Sequence, residues 1–97
     1  MIQSFADDGT ADLFHGRDTK LAGRTCPRAL WSVARRKLDQ LNAAPRLEDL
    51  RVPPGNRLEP LKGARAGEHG IRVNDQYRIC FTWEAAGPRD VEVVDYH

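Results

Sequence analysis

The sequence predicts a small α+β domain with two N-terminal helices packed on one face of a mainly antiparallel sheet. Three observations carry this reading. Residues 27–44 repeat apolar side chains at helical spacing, residues 70–83 alternate apolar and polar side chains about a polar turn, and the elements run strand, helix, helix, then four strands. With 97 residues, 40% of them hydrophobic and 30% charged, the chain suits one globular domain over residues 1–97, neither disordered nor membrane-embedded.

Each element has its own signal. "IQSF" reads as a short first strand, and the following "ADDGT" offers Asp8 or Thr10 as the cap of a helix carrying Leu13 and Phe14 and ending at Gly16. "RDTKLAGRTCP" is polar and contains glycine, so a loop is expected there, with Pro27 opening the second helix. In that helix Leu30, Val33, Ala34, Leu38 and Leu41 form one apolar stripe, and Arg35, Arg36 and Lys37 lie on the outer side. Pro53, Pro54, Gly55 and Asn56 break regular structure. "RLEPLKG" then reads as a short strand that Pro60, lacking an N–H, restricts to an edge or a bulge.

"GIRVNDQYRICFTW" is a hairpin turning at Asn74, Asp75 and Gln76. Pairing symmetric about Asp75 sets Ile71 opposite Ile79 and Arg72 opposite Arg78, with the apolar pairs on one face and the arginines on the other. "AAGPRD" reads as a second turn and "VEVVDYH" as the last strand, in which Val91, Val93 and Asp95 share one side and Glu92, Val94 and Tyr96 the other.

No apolar run approaches the roughly 20 residues that span a bilayer, and "MIQSFADDG" has neither a basic start nor an apolar core, so a cytoplasmic protein without a membrane partner is expected. Cys26 and Cys80 are expected as free thiols. The net charge of +1 gives no general basic excess, but residues 51–78 hold six basic side chains against three acidic ones.

Two places invite chemistry. Like charges directly opposite on a sheet are destabilising, so the Arg72/Arg78 pair calls for an anion: a carboxylate from Glu59, Glu92 or Asp95, or a ligand phosphate, which guanidinium forks and Lys62 suit. The terminal Asp95, Tyr96 and His97 offer three proton-transfer groups, of which His97 alone has an ordinary pKa near neutrality. His15, His69 and His97 lack metal-ligand spacing, and the chain has no phosphate-binding glycine loop and no G-x-S-x-G elbow, so no metal and no cofactor are expected.

The blocks "PPGNRLEPLKGARAGEHGIRVNDQYRICFTW" and "DYH" strongly resemble the HigB-type toxins of the RelE/ParE superfamily, and the similarity runs along nearly the whole chain. The resemblance implies a RelE-like microbial RNase fold and a toxin of a type II toxin–antitoxin system that cleaves mRNA on the translating ribosome without a metal. It further implies a helix-turn-helix antitoxin of the HigA type, a toxin–antitoxin hetero-oligomer, and a toxin that is monomeric when free. Carried over by position, Lys62 and Arg78 match the phosphate-contacting groups, Asp95, Tyr96 and His97 the terminal catalytic triplet, and Arg57 and Arg72 further RNA contacts. Some relatives have histidine where this chain has Glu59, so the base stays open among His97, Asp95 and Glu59. The alternatives are a ParE-like inhibitor of DNA gyrase and a non-catalytic toxin-like module that regulates transcription with its antitoxin.

Overall fold

The computed structural model describes residues 1–96. Three helices, α1 (Asp8–Phe14), α2 (Lys20–Thr25) and α3 (Trp31–Ala43), precede four strands, β1 (Glu59–Pro60), β2 (His69–Arg72), β3 (Tyr77–Glu84) and β4 (Gly87–Asp95). The strands form an antiparallel sheet in the order β1-β2-β3-β4. The architecture is therefore α+β.

The helix count departs from the sequence expectation. Residues 20–25, expected as loop, form α2, because the Thr19 side chain caps it by accepting from the Ala22 amide at 3.1 Å and donates to Asp12 Oδ2 at 2.7 Å. Gly9 lets α1 and α2 approach closely, since a Cβ there would lie 2.7 Å from the Leu21 carbonyl oxygen. The cap of α1 is Asp7, which accepts from the Thr10 amide at 2.7 Å, rather than Asp8 or Thr10. Thr10 is instead buried, and its hydroxyl oxygen accepts from the Val93 amide at 3.1 Å.

The first strand is likewise reduced to one parallel bridge, Phe5 to Val91, flanked by the bonds Ala6 N–H to Val91 O and Val91 N–H to Ser4 O. These few bonds lie along the outer edge of β4 and satisfy backbone groups that an edge strand otherwise leaves to solvent. The second turn is also tighter than expected: it comprises Ala85 and Ala86, and Gly87 to Asp90 already belong to β4. An extra β4 residue is taken up between the pairs Cys80/Glu92 and Thr82/Arg89, where Asp90 has a positive φ of 53°.

Leu13, Ala22, Cys26, Trp31, Ala34, Leu38 and Leu41 from the helical half share one buried cluster with Ile71, Ile79, Phe81, Val91 and Val93 from the sheet. Lys37, expected on the outside, is buried, and its ammonium donates to Asn56 Oδ1 at 2.6 Å. Asn56 in turn donates to Gln40 and to the Leu50 carbonyl, both at 3.1 Å, which ties α3 to the proline-rich connection. Burial, with Arg36 nearby, pushes the Lys37 pKa down.

Candidate functional site

The hairpin has the register that its alternation predicts. Ile71 pairs with Ile79 and Arg72 with Arg78, and β4 continues both rows with Val93 beside Ile79 and Val94 beside Arg78. One sheet face is thus the wall of the core. The second carries Gly70, Arg72, Arg78, Cys80, Glu92 and Val94.

The counter-charge demanded by the paired arginines comes from within the chain. Glu59, on the edge strand, accepts a short hydrogen bond from the Arg78 guanidinium, while Arg72 reaches Asp75 in the turn at 3.6 Å. The two pairs differ in what water can do to them: the Arg78 side chain is only 17% exposed, whereas Asp75 is 99% exposed and its pair is weak. Glu92 pairs instead with Arg65, at 3.2 Å, and Arg65 also holds Glu68 at 3.1 Å. Cys80 lies buried in this charged row, and burial, its largest influence, pushes the thiol from 9.0 up to about 11.

The terminal residues divide between the two faces. Tyr96 lies over Arg78, with the guanidinium carbon 5.0 Å from the ring centroid, a cation–π contact that steadies the cation from the side opposite its carboxylate partner's strand. Asp95 pairs with Tyr77 across the sheet and accepts from the Gln76 side chain at 2.9 Å, so the turn holds it at the sheet's end. His97 lies outside the described residues.

Lys62 and Arg57 sit exposed on the connections after and before β1. Leu61 is buried against Gly70, where a Cβ would come within 3.3 Å of its methyl group, and this anchors the chain just before Lys62 to the second sheet face. Arg57 occupies the left-handed region, φ 46°, at the end of a turn. Glu59, Arg78 and Tyr96 are therefore brought into contact, Arg72 and Arg78 are neighbours, and Asp95 is set at the margin.

Sequence reasoning weighed His69 only as a metal ligand. It stands at the start of β2 opposite Pro60, with its ring 6.4 Å from Phe81 in a stacked arrangement. Its Nδ1 is buried without a hydrogen-bond partner, as is Arg72 Nε, among the described residues. His69 lines a cleft together with Leu47, Glu48, Arg51, Leu58, Glu59 and Pro60. No local signal marks the cleft, because its walls come from three separate stretches of chain. Among the described residues no group of three His, Cys, Asp or Glu side chains is placed to hold a metal, and no helix is long and apolar enough to cross a membrane.

A compact α+β chain with a cation-bearing sheet face and a Tyr–Arg–Glu contact on it has the outline of a RelE-like toxin. A family profile described as "RelE-like toxin of type II toxin-antitoxin system HigB" matches residues 3–97, and the chain belongs to that HigB-like toxin family. Toxin HigB-1 of Vibrio cholerae is 48% identical over 60 residues, which cover 62% of this chain and 63% of that protein, so the match spans less than two thirds of the relative's length. An uncharacterized protein of Haemophilus influenzae is 37% identical over 82 residues, covering 84% of this chain and 78% of its own.

Proposed function

We propose that this protein is the toxin of a type II toxin–antitoxin system and acts as a ribosome-dependent mRNA endonuclease. The observation that carries the reading is Arg78: a largely shielded guanidinium on the second sheet face, flanked by Tyr96, in a chain of the HigB-like family. Cleavage proceeds by attack of a ribose 2′-OH on its own phosphate. It needs a base for the hydroxyl proton, cations for the charge that builds on the phosphate oxygens, and an acid for the leaving 5′-oxygen, with no metal required.

Arg78 is suited to the second task, and incoming phosphate takes the place of the Glu59 carboxylate. Lys62 adds an exposed point charge from the connection after β1, and Arg72 and Arg57 extend the cationic track along the RNA. Tyr96 holds a base or the ribose by its ring face. Asp95 and His97 share the proton transfers. Glu59, already committed to Arg78, serves better as the counter-ion that phosphate displaces than as the base. The protein partner is a HigA-type helix-turn-helix antitoxin that forms a hetero-oligomer with the toxin, and the ribosome with its mRNA is the target, which places the protein in the cytoplasm.

Primer extension on an mRNA in a reconstituted translation system, with and without ribosomes, tests this. Wild type is expected to give cuts only with ribosomes, and Arg78→Ala to cut about 100-fold more slowly, the scale for losing one group that stabilises developing charge. Wild-type protein that leaves the message intact while inhibiting DNA gyrase would overturn the nuclease in favour of a ParE-like activity.

A further inference from the structure

We propose that the cleft at His69 is a nucleobase pocket, which receives the base of a nucleotide next to the phosphate held at Arg78. The identity of its ligand rests on the endoribonuclease reading above. The cleft encloses about 240 Å³, below the roughly 300–1,000 Å³ of sites that hold a whole drug-sized ligand, so a single ring system suits it better than a complete nucleotide.

Its lining has two chemical parts. Leu47, Leu58 and Pro60 give apolar walls for the flat surfaces of a ring. The polar groups are Glu48, which accepts hydrogen bonds, Arg51, which donates them, and His69, whose buried Nδ1 has no hydrogen-bond partner among the described residues. A buried nitrogen in that state costs free energy unless something supplies its hydrogen bond, and the edge of a base can.

The charge balance selects the part of the nucleotide that enters. With Glu59 paired to Arg78, Glu48 balances Arg51 and the cleft offers phosphate no cationic excess, so phosphate stays at the cationic face while the neutral base goes in. Glu59 joins the two places, because the residue lines the cleft and its carboxylate pairs with Arg78. The base pocket and the phosphate site therefore adjoin at this residue of the edge strand. Each base presents a different donor and acceptor edge, so a pocket with both kinds of partner discriminates among them.

Two measurements on the purified chain test the assignment. In the first, the His69 ring signals are followed by NMR during titration with each of the four nucleoside 5′-monophosphates and with ribose 5-phosphate. Base-dependent shifts are expected from the nucleotides, none from the sugar phosphate, and weaker binding in Glu48→Gln, an exposed position where substitution leaves the fold intact.

In the second, cleavage positions are mapped across many messages for wild type, His69→Ala and Glu48→Gln. The variants are expected to relax base preference at one position beside the cut by about tenfold, the scale of one lost base contact, while still cutting. Unchanged preference in cutting variants, together with His69 signals that ignore the base, would overturn the pocket and point to a cationic side chain of a protein partner as its occupant. Base-dependent shifts from a wild-type protein that cuts no RNA would support the pocket and overturn the nuclease, so the two ideas fail separately.

Discussion

The two faces of this sheet are built from alternate residues of the same strands and obey different rules. On one face Ile71, Ile79, Phe81, Val91 and Val93 lose all or nearly all contact with water against the helices. On the other, one step along each strand, Arg72, Arg78, Glu92 and their partners arrange charges that stay in reach of solvent. The first face sets whether the chain folds; the second is arranged for what it binds. A one-residue slip of register would exchange them, and the core therefore fixes the position of every arginine on the opposite side.

The sharpest way to break this division is Phe81→Ala. Phe81 is fully buried, and its truncation is expected to cost about 3–5 kcal/mol in urea denaturation, whereas Arg78→Ala, which removes an ion pair half open to water, should move the same midpoint by under about 1 kcal/mol. Equal losses would mean that the charged face carries the fold as much as the core does.

A smaller effect concerns the two cysteines, one packed among the helices and one in the charged row. Burial pushes both thiols from 9.0 up to about 11. Their stabilising contribution is fully present below pH 9 and is lost as pH rises toward 11, because the unfolded chain releases those protons first. Lys37, whose pKa is lowered, works in the opposite direction and gains stability as pH climbs toward 10.5. The urea midpoint is therefore expected to fall above pH 9, and to fall less in Cys26→Ala/Cys80→Ala. An equal decline in that variant would assign the alkaline loss to other groups.

The smallest change sharpens the comparison within the charged face itself. Glu59→Gln removes the internal competitor for Arg78, and binding of a single-stranded RNA, followed by fluorescence anisotropy, should tighten by about threefold, as for a partly exposed ion pair. If Glu59 is instead the general base, cleavage by this variant falls about 100-fold or more and affinity barely moves.

What the sequence revealed divides along the same lines. The hairpin was legible because alternation over eight residues of β3 leaves little freedom of register, and both the Ile71/Ile79 and Arg72/Arg78 pairs stand where the pattern puts them. The stripe on α3 was legible for the same reason. What periodicity cannot express is a contact decided by a single side chain. Short α2 buries only Ala22 and depends on its Thr19 cap, Lys37 enters the interior because Asn56 meets it nineteen residues away, and Thr10 leaves a capping role to serve β4. In the candidate site the residue types at 59, 78 and 96 were visible and Glu59 was one of three carboxylates open to the arginine pair, but not which of the three would hold Arg78, nor that His69 would open a cleft beside them.

The bonds along the outer edge of β4 have a consequence for how the molecule comes into being. Gln3, Ser4, Ala6 and Thr10 meet Pro88, Val91 and Val93, so segments some eighty residues apart complete one another, the earlier-made by the later. Contacts so distant in sequence cannot form while β4 is still inside the synthesising ribosome. A nascent chain that stops short of β4 lacks Val91 and Val93 from its core and the frame on which Arg78 and Tyr96 meet. For a protein proposed to attack translation, this makes the assembly of its weapon wait for the synthesis of β4.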